Sequence, residues 1–526
     1  MSIDLIIRQG TILDGTGSEA YQADLAIEKG RIVEIGRIES HDVASLDAKG
    51  MYVAPGFIDI HSHSDWTLLV DPRAVSAIYQ GVTLEVLGNC GYGCFPVKNP
   101  EISKQIIFGF SDDISLDWSG TASYFDRLEE LGPAVNVLSL VPNGQLRLAT
   151  KGFSPDPASP QEALEMKALL EKSLEEGAWG YSTGLEYVSE SGASELEVTE
   201  LCKTVKSYGG LYATHTRKRG DSGAVEAVEE ALRTAQRSGV RLQISHLLPR
   251  RPEDFERCVD VVDAAREDGI DVHFDMHTRP FGLTYLHFAL PSWLNPEPGS
   301  LGEQLADPKV RDKMRKSSTI LGERTDWSRV ILLDNSIWPQ YARRSLEEIA
   351  SERGQDALDA VYDLLLKNTE GMHELMAIVM SMYSDRQQQD VFSHALCMPG
   401  SDATDLSLDG PLGNSTFHGA YTWAAWFYRF MVREKSALTP EEAIHKLTGL
   451  PANVLGLKDR GVLRTGAWAD IAIFDPGEFG EQGTTFEPNQ LAKGMLYVLV
   501  NGNLTLDQGK LTGERGGKVI RREKSN

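Results

Sequence analysis

The chain has 526 residues, of which 41% are hydrophobic and 24% are charged, and these are ordinary values for a soluble globular protein. At this length we expect one large domain with a smaller one, or two to three domains. The formal net charge of −24 argues against nucleic acid and anionic membrane surfaces as partners, because both are themselves negatively charged.

The cysteines and the first residues indicate the compartment. Five cysteines in a chain of this length are too few and too scattered for a disulfide framework. The first stretch, MSIDLIIRQGTILDG, lacks the basic and then apolar regions of a signal peptide. No apolar run reaches the roughly 20 residues of a membrane span. The sequence therefore predicts a cytoplasmic protein.

The two ends of the chain resemble each other in pattern. Both contain short runs typical of β-strands, separated by glycine turns. These runs are 3–8, 24–28, 31–38, 469–475 and 495–502. We therefore predict a small β-sandwich domain formed from residues 1–55 plus 460–526.

The middle of the chain alternates short apolar strands with amphipathic helices. The predicted strands are 56–63, 82–90, 134–143, 178–184, 210–216, 240–246, 270–277 and 395–402. Helical periodicity lies between them, for example in 162–176 and 223–238. Repeated strand–helix units predict an α/β protein with a (β/α)8 TIM-type barrel over 56–459. An open doubly wound sheet is the alternative.

The stretch from about 278 to 394 is too long to be a single connection between two barrel elements. It contains loops with Pro and Trp (LPSWLNPEPGSLG), a further strand-like run (RVILLDNS) and two helical patterns. We predict an insertion that covers the mouth of the barrel.

Polar side chains follow the predicted strands at the end where barrel active sites lie. They are His61, His63, Cys90, His215, His246 and Asp402, and all are types that bind metals. His61 and His63 are two residues apart in a strand and so point to the same face. Because all of these strand ends meet at one rim, the sequence predicts a metal site there.

Each of these residues also has a structural interpretation. The histidines can be core or surface residues, Cys90 can be a buried inert thiol, and Asp402 can be a helix N-cap. Cys94 forms a CxxxC pair with Cys90, but no second pair completes a structural zinc site. Residues 180–184 (GYSTG) fit the GxSxG pattern of serine hydrolases, although the residues that follow are a poor helix start.

The segments PGFIDIHSHSD, ATH, ISH and GSD resemble the amidohydrolase superfamily, as do LRTGAWADIAIFDP and VLVNGN near the other end. GVTLEVLGNCG, GAWGYSTGLEY and THTR resemble its N-acyl-D-amino-acid deacylase (D-aminoacylase) branch. The resemblance implies one tight zinc site at Cys90, His215 and His246. It implies a second, weaker site near His61, His63 and Asp402.

The resemblance also implies roles for other residues. Tyr187 matches a branch tyrosine that can hydrogen-bond the developing oxyanion. The branch lysine that helps to bind the substrate carboxylate is replaced by Leu248, and MHTRPF (276–281) replaces a Tyr-Pro-Tyr-like segment. We name three arginines as candidate substitutes for carboxylate binding. They are Arg217, Arg250 and Arg279.

These observations together predict a zinc-dependent hydrolase of a linear C–N amide bond, with Asp402 as general base and then general acid. The expected substrate is a small molecule, either an N-acyl-D-amino acid or a related N-acyl amide. The alternatives are a cyclic-amide hydrolase of the hydantoinase or dihydroorotase kind, an amidase for substrates without a free carboxylate, and a non-catalytic relative. The sequence leaves open whether the chain forms a homo-oligomer.

Overall fold

The computed structural model describes residues 3–39, 43–111, 113–154, 156–220, 223–250, 254–291, 293–294, 298–317, 319–321, 326–369 and 375–523. Residues 1–2 and 524–526 of the predicted terminal domain therefore lie outside the described residues, as do short parts of the predicted insertion.

The described part of the chain contains strands and helices in alternation through its middle. The strands are β1 (Leu5–Ile12), β2 (Tyr21–Glu28), β3 (Arg31–Gly36), β4 (Ser45–Asp47), β5 (Tyr52–Pro55), β6 (Phe57–Asp59), β7 (Val82–Leu87), β8 (Asn136–Pro142), β9 (Gly180–Gly184), β10 (Leu211–His215), β11 (Arg241–Ile244), β12 (Val272–His277), β13 (Gly282–Tyr285), β14 (Val330–Leu332), β15 (Met376–Val379), β16 (Cys397–Gly400), β17 (Ile471–Phe474), β18 (Met495–Val500), β19 (Asn503–Asp507) and β20 (Lys510–Leu511). The α-helices are α1 (Thr67–Val70), α2 (Val75–Ile78), α3 (Pro100–Ser103), α4 (Thr121–Leu131), α5 (Asn143–Lys151), α6 (Pro160–Glu175), α7 (Glu195–Ser207), α8 (Ala224–Ser238), α9 (Phe255–Glu267), α10 (Pro298–Ala306), α11 (Pro308–Met314), α12 (Leu346–Arg353), α13 (Ala357–Leu366), α14 (Asp385–Ser393), α15 (Trp423–Tyr428), α16 (Pro440–Leu447) and α17 (Gly449–Leu455).

Eight parallel strands form the barrel, in the order β6, β7, β8, β9, β10, β11, β12 and β16. The sheet closes just after its first and last strands, where Ser62 and Ala403 form a parallel bridge. His63 N donates to Ala403 O and Asp402 N donates to His61 O, both at 2.8 Å. This closure confirms the predicted barrel and excludes the open doubly wound sheet.

Every predicted barrel strand contains an observed one. Seven of them, all except β11, are buried at all positions. Continuous burial is expected of parallel strands that pack on both faces. The helices between the strands start where the sequence supplies caps. For example, the Ser159 side chain accepts from Glu162 N at the start of α6, and Pro160 is its first residue.

The two chain ends form one separate nine-stranded sheet, as expected for a domain built from both. Its order is β20, β19, β18, β17, β5, β1, β2 and β3, with β4 beside β1. The two ends meet where β5 pairs antiparallel with β17, so that Pro55 lies opposite Ile471. All nine strands fall within 1–55 and 460–526, and these exact boundaries stay a prediction.

The predicted insertion contains its own small sheet, in the order β13, β15 and β14. Its described apolar residues form a separate core cluster that includes Leu286, Leu305, Val361 and Leu375. The connection between β12 and β16 is thus a packed subdomain, and several of its residues line the cavity at the barrel mouth. None of the described helices combines the length and apolarity needed to cross a membrane.

Candidate metal centre

The carboxyl ends of the barrel strands surround a cavity with about 820 Å³ of empty space, including its open mouth. Its polar lining comes from both the barrel and the insertion, and its apolar lining comes largely from the insertion. The polar and ionisable residues include His63, Tyr187, His215, Arg219, His246, Arg250, His277, Arg279 and Asp402. Four of the six predicted ligands therefore line one cavity, and Cys90 and His61 lie buried beside it.

The first barrel strand brings His61 and His63 to the site. His61 is fully buried, and its Nδ1 lies 2.9 Å from Asp275 Oδ1. Its other ring nitrogen, Nε2, is therefore the atom available on the cavity side. Burial alone would lower the pKa of His61, but the neighbouring Asp275 and Cys90 raise it well above the ordinary value. His63 Nδ1 is buried and has no hydrogen-bond partner among the described residues.

Cys90 lies in a tight loop after β7, and its backbone has φ 53°. Ser182 fixes the backbone of this loop with two hydrogen bonds. Its Oγ accepts from Gly91 N at 3.1 Å and donates to Gly88 O. Cys90 Sγ lies 3.2 Å from His61 Nε2 and 3.6 Å from His246 Nε2. The glycine-rich sequence thus places the thiol between two imidazoles. Burial raises the pKa of this thiol, although His61 opposes the shift.

His246 and Asp402 also leave their strands in left-handed backbone conformations, with φ 37° and 46°. Non-glycine residues in this region are strained, and such strain concentrates at functional sites. His246 N donates to Asp275 Oδ1 at 2.9 Å, so Asp275 contacts both His61 and His246. Three candidate ligands therefore share unusual backbone geometry.

Asp402 lies between the histidines of the first strand and an arginine. Its Oδ1 lies 3.3 Å from His63 Nε2 and 3.6 Å from His61 Nε2. Its Oδ2 accepts from Arg279 Nη2 at 2.7 Å. Burial alone would raise the pKa of Asp402, but Arg279 and His63 hold it well below the usual range. No described helix begins at Asp402, so the N-cap interpretation does not apply.

These atoms form two overlapping sets that fit a metal. The ligand atoms of His61, Cys90 and His246 lie within 4.8 Å of one another, and so do those of His61, His63 and Asp402. Sulfur and imidazole nitrogen bonded to one tetrahedral zinc are about 3.5 Å apart, given bond lengths of ~2.3 and ~2.0 Å. The observed separations of 3.2 and 3.6 Å match that value. The donor types and their spacing therefore fit zinc.

His215 differs from the other predicted ligands. Its Nε2 lies 2.8 Å from Glu186 Oε2 and its Nδ1 lies 3.0 Å from Tyr187 Oη. Its ring packs edge-on against His246, with centroids 4.6 Å apart. The structure thus places His215 beside the cluster but directs both ring nitrogens to protein partners. Its role as a ligand stays a prediction.

The three predicted arginines have different surroundings. Arg250 lines the cavity and forms two 2.6 Å hydrogen bonds to Glu186. Arg279 also lines it and is bound to Asp402. Arg217 does not line the cavity, because its guanidinium donates to Glu230 and to the carbonyl groups of Ser191 and Ala193. The structure therefore brings Arg250 and Arg279, but not Arg217, to the site.

Sequence reasoning missed several polar residues at or beside the cavity, among them Asp275, Glu186, Arg219 and His277. The sequence pattern could have indicated two of them. Asp275 and His277 alternate along β12 and end it as polar residues, like the ligands on other strands. Glu186 directly precedes Tyr187 in GLEY. Arg219 lies in an irregular loop, where no periodicity indicates the direction of a side chain.

The serine-hydrolase pattern has a structural explanation. Ser182 lies inside β9, is fully buried, and its Oγ is bound to the backbone of the Cys90 loop. A nucleophile elbow requires an exposed serine on a strand-to-helix turn. Cys94 is also buried and belongs to the main hydrophobic core.

Residues 45–308 and 408–506 match the Amidohydrolase family. The chain belongs to the amidohydrolase family. It is 33% identical to the N-acyl-D-glutamate deacylase of Alcaligenes xylosoxydans xylosoxydans, over 99% of this chain and 97% of that one. The resemblance noted in the sequence, including its deacylase branch, is confirmed.

Two solved structures are similar to this amidohydrolase over its length. One is the N-acyl-D-glutamate deacylase of Bordetella bronchiseptica with zinc and a phosphonate that mimics the tetrahedral intermediate, at TM-score 0.83, 29% identity and coverage of 99% and 100%. The other is a D-aminoacylase described by its binuclear metal centre, at TM-score 0.80, 28% identity and the same coverage of 99% and 100%. The chain is therefore an enzyme, a hydrolase of carbon–nitrogen bonds other than peptide bonds.

Proposed function

We propose that this amidohydrolase removes the acyl group from an N-acyl-D-amino acid. The observation that carries the proposal is the position of Cys90 Sγ, 3.2 Å from His61 Nε2 and 3.6 Å from His246 Nε2, at the cavity that Asp402 lines. The deacylases among the relatives support the reaction, and the zinc and binuclear centres of similar structures support the cofactor.

Cys90 and His246 would hold one tight zinc ion with His61 as the third ligand that the geometry supplies, and His61, His63 and Asp402 would form a second, weaker site that shares His61. The expected ligand His215 would join the first site only if its ring nitrogens left Glu186 and Tyr187. When bound, zinc lowers the pKa of water towards neutrality and polarises a carbonyl group. The protein contributes a buried, largely prearranged set of ligands. Asp275 supports that set because one carboxylate oxygen lies near both His61 Nδ1 and the backbone N–H of His246.

Asp402 is the proposed proton carrier. Its lowered pKa keeps the carboxylate ionised at neutral pH, so it can accept the proton of the attacking water. The same proton is then delivered to the leaving nitrogen, which departs as an amine. Arg279 holds Oδ2 and thereby fixes the orientation of the carboxylate during both transfers.

Tyr187 is proposed to stabilise the negative charge that develops on the carbonyl oxygen. It lines the cavity, and its Oη lies 3.0 Å from His215 Nδ1. Burial raises the pKa of Tyr187 well above its ordinary value, so the hydroxyl stays protonated and can donate a hydrogen bond at neutral pH.

A panel of substrates on zinc-loaded protein tests the proposal. It contains N-acetyl-D-amino acids with neutral and acidic side chains, their L enantiomers, hydantoins, dihydroorotate, and uncharged N-acetyl amides. We expect release of acetate from at least one N-acetyl-D-amino acid at a kcat/KM at least tenfold above that for its enantiomer. Hydrolysis restricted to the cyclic amides or to the uncharged amides would contradict the proposal.

The cytoplasmic location and the absence of nucleic-acid and membrane partners stay predictions from the sequence. A homo-oligomeric state also stays open. Size-exclusion chromatography with light scattering would determine that state.

A further inference from the structure

The cavity at the barrel mouth is lined by three arginines, and two of them are paired with carboxylates. Arg250 is bound to Glu186, and Arg279 is bound to Asp402. Arg219 also lines the cavity, but no acidic partner of Arg219 occurs among the described residues. An unpaired cation inside a cavity is an expected binding place for an anion.

The Arg219 guanidinium is fixed in place through one of its nitrogens, Nη2. Its Nη2 donates to His246 O at 2.7 Å and to Leu248 O at 2.9 Å. Its own carbonyl accepts from Arg250 N at 2.7 Å. These bonds join the loops after β10 and β11. A cation held this way loses little freedom when it binds a ligand.

The remaining donors of Arg219 are unused. In the part of the chain that the structure describes, Nη1 and Nε have no hydrogen-bond partner, and the residue is only partly buried. Either Nη1 or Nε can therefore donate a hydrogen bond to a carboxylate. Leu248 is fully buried and adds no charge at this edge of the cavity.

The wall that the insertion contributes has a different character. Most of its lining side chains are apolar, among them Phe288, Ile320, Leu321, Met376, Val379 and Met382, and Thr284, Tyr285 and Tyr383 add hydroxyl groups. The cavity therefore offers a cation from the barrel that has no acidic partner among the described residues, together with a largely apolar surface from the insertion. A ligand that fits both has one anionic group and a hydrocarbon part.

We propose that Arg219 binds the free carboxylate of the substrate and that the apolar wall of the insertion receives a hydrocarbon side chain. The proposal rests on the proposed deacylase function and narrows its substrate class to N-acyl derivatives of neutral, apolar amino acids. Arg219 acts by binding the substrate and takes no part in proton transfer.

The kinetic test compares wild-type protein with Arg219→Met, Arg219→Lys and the control Lys218→Met, which removes an exposed neighbouring charge outside the cavity lining. The substrates are N-acetyl-D-leucine and N-acetyl-D-leucinamide, which lacks the carboxylate, and acetate release is measured. We expect Arg219→Met to raise KM for the acid roughly tenfold or more with kcat changed less than threefold, as for loss of one charged hydrogen bond. Arg219→Lys should recover part of this loss, and Lys218→Met should match wild type.

The neutral substrate N-acetyl-D-leucinamide distinguishes a role of Arg219 in binding the carboxylate from a role in maintaining the fold. Arg219→Met should leave kcat/KM for this neutral substrate within about twofold, because the lost bond involves the carboxylate only. An equal loss on acid and amide would mean that Arg219 only supports the fold, and no loss on either would mean that it is not used. Both results overturn the proposal. Faster hydrolysis of N-acetyl-D-glutamate than of N-acetyl-D-leucine would overturn the apolar side-chain assignment.

A binding measurement separates this proposal from the proposed function. Calorimetric titration of zinc-loaded protein with N-methanesulfonyl-D-leucine, in which a sulfonamide replaces the scissile amide, should give a Kd at least tenfold weaker for Arg219→Met than for wild type. If wild-type protein releases no acetate from any N-acyl amino acid, the deacylase function fails while this titration still decides the role of Arg219. Equal binding by both proteins, or none by wild type, overturns that role.

Discussion

Arg279 and Asp402 form a partly buried ion pair in which Nη2 lies 2.7 Å from Oδ2. The Nη1 atom of the same guanidinium donates to the carbonyl groups of Ser401, at 2.7 Å, and His418, at 2.9 Å. Arg279 thus fixes Oδ2 of Asp402, while Oδ1 faces the ring nitrogens of His63 and His61. This arrangement suits a carboxylate that must receive a proton and then release it.

Replacement of the proposed proton carrier should stop the reaction. We expect Asp402→Asn to lower kcat by about three orders of magnitude, within the usual contribution of general acid–base catalysis. The tight zinc should remain bound, as measured by mass spectrometry of the dialysed protein. Asp409→Asn, on the exposed part of the same loop, should keep wild-type kcat. Substantial activity in Asp402→Asn would contradict the assigned role.

The thiol is the soft ligand of the proposed tight site. Cys90→Ser should lose most of its bound zinc on dialysis, because a neutral hydroxyl is a poorer ligand than a thiolate. Cys94→Ser changes an equally buried cysteine of the core and should retain zinc. Equal zinc content in the two variants would show that Cys90 does not bind the metal.

Asp275 is predicted to act on the metal through the histidines. Its Oδ1 lies 2.9 Å from both His61 Nδ1 and His246 N, and its Oδ2 accepts from Gln243 Nε2 at 2.6 Å. We expect Asp275→Asn to weaken zinc binding by about 10–100-fold, as is typical when such supporting groups are lost. Competition with a chromogenic chelator measures the affinity. The variant Asp271→Asn, four residues earlier and outside the cavity, should bind zinc normally.

Asp71 provides a test of stability against pH. Burial alone would raise the pKa of Asp71, but hydrogen bonds from Arg73 and Ser407 lower it below the ordinary value. A carboxyl group with a lowered pKa in the folded state stabilises the protein above its unfolded-state pKa, and this contribution is lost as the pH falls through the folded-state value.

We therefore expect Asp71→Asn to reduce the free energy of unfolding by about 1–2 kcal/mol at pH 7. The difference from wild type should shrink as the pH is lowered below the ordinary carboxyl pKa. Urea unfolding of both proteins at several pH values measures this trend. A difference that grows towards acid pH would refute the assigned contribution of this ion pair.

The barrel and most of its rim could be predicted from the sequence because both depend on local patterns. Apolar runs of strand length recur between amphipathic helices, and His61, Cys90, His246 and Asp402 each follow such a run. Because the carboxyl ends of parallel barrel strands all meet at one rim, the strand assignment alone brings these distant residues together.

The supporting residues could not be predicted in the same way. Arg217 and Arg219 are two residues apart in an irregular loop, where no strand or helix periodicity fixes the direction of a side chain. The structure pairs Arg217 with Glu230 and leaves Arg219 at the cavity. His215 follows its strand as expected, yet the neighbouring Glu186 and Tyr187 determine where its ring nitrogens point. The directions of these side chains depend on contacts between loops, which local sequence patterns do not show.

The pairing of β5 with β17 has a consequence for synthesis on the ribosome. The amino-terminal strands emerge first, but Pro55 finds its partner Ile471 only after the whole barrel has been translated. Until then the nascent chain exposes an unpaired strand edge, a known template for wrong association. Chaperone capture of this edge during translation would protect the unfinished protein until its carboxyl-terminal strands arrive.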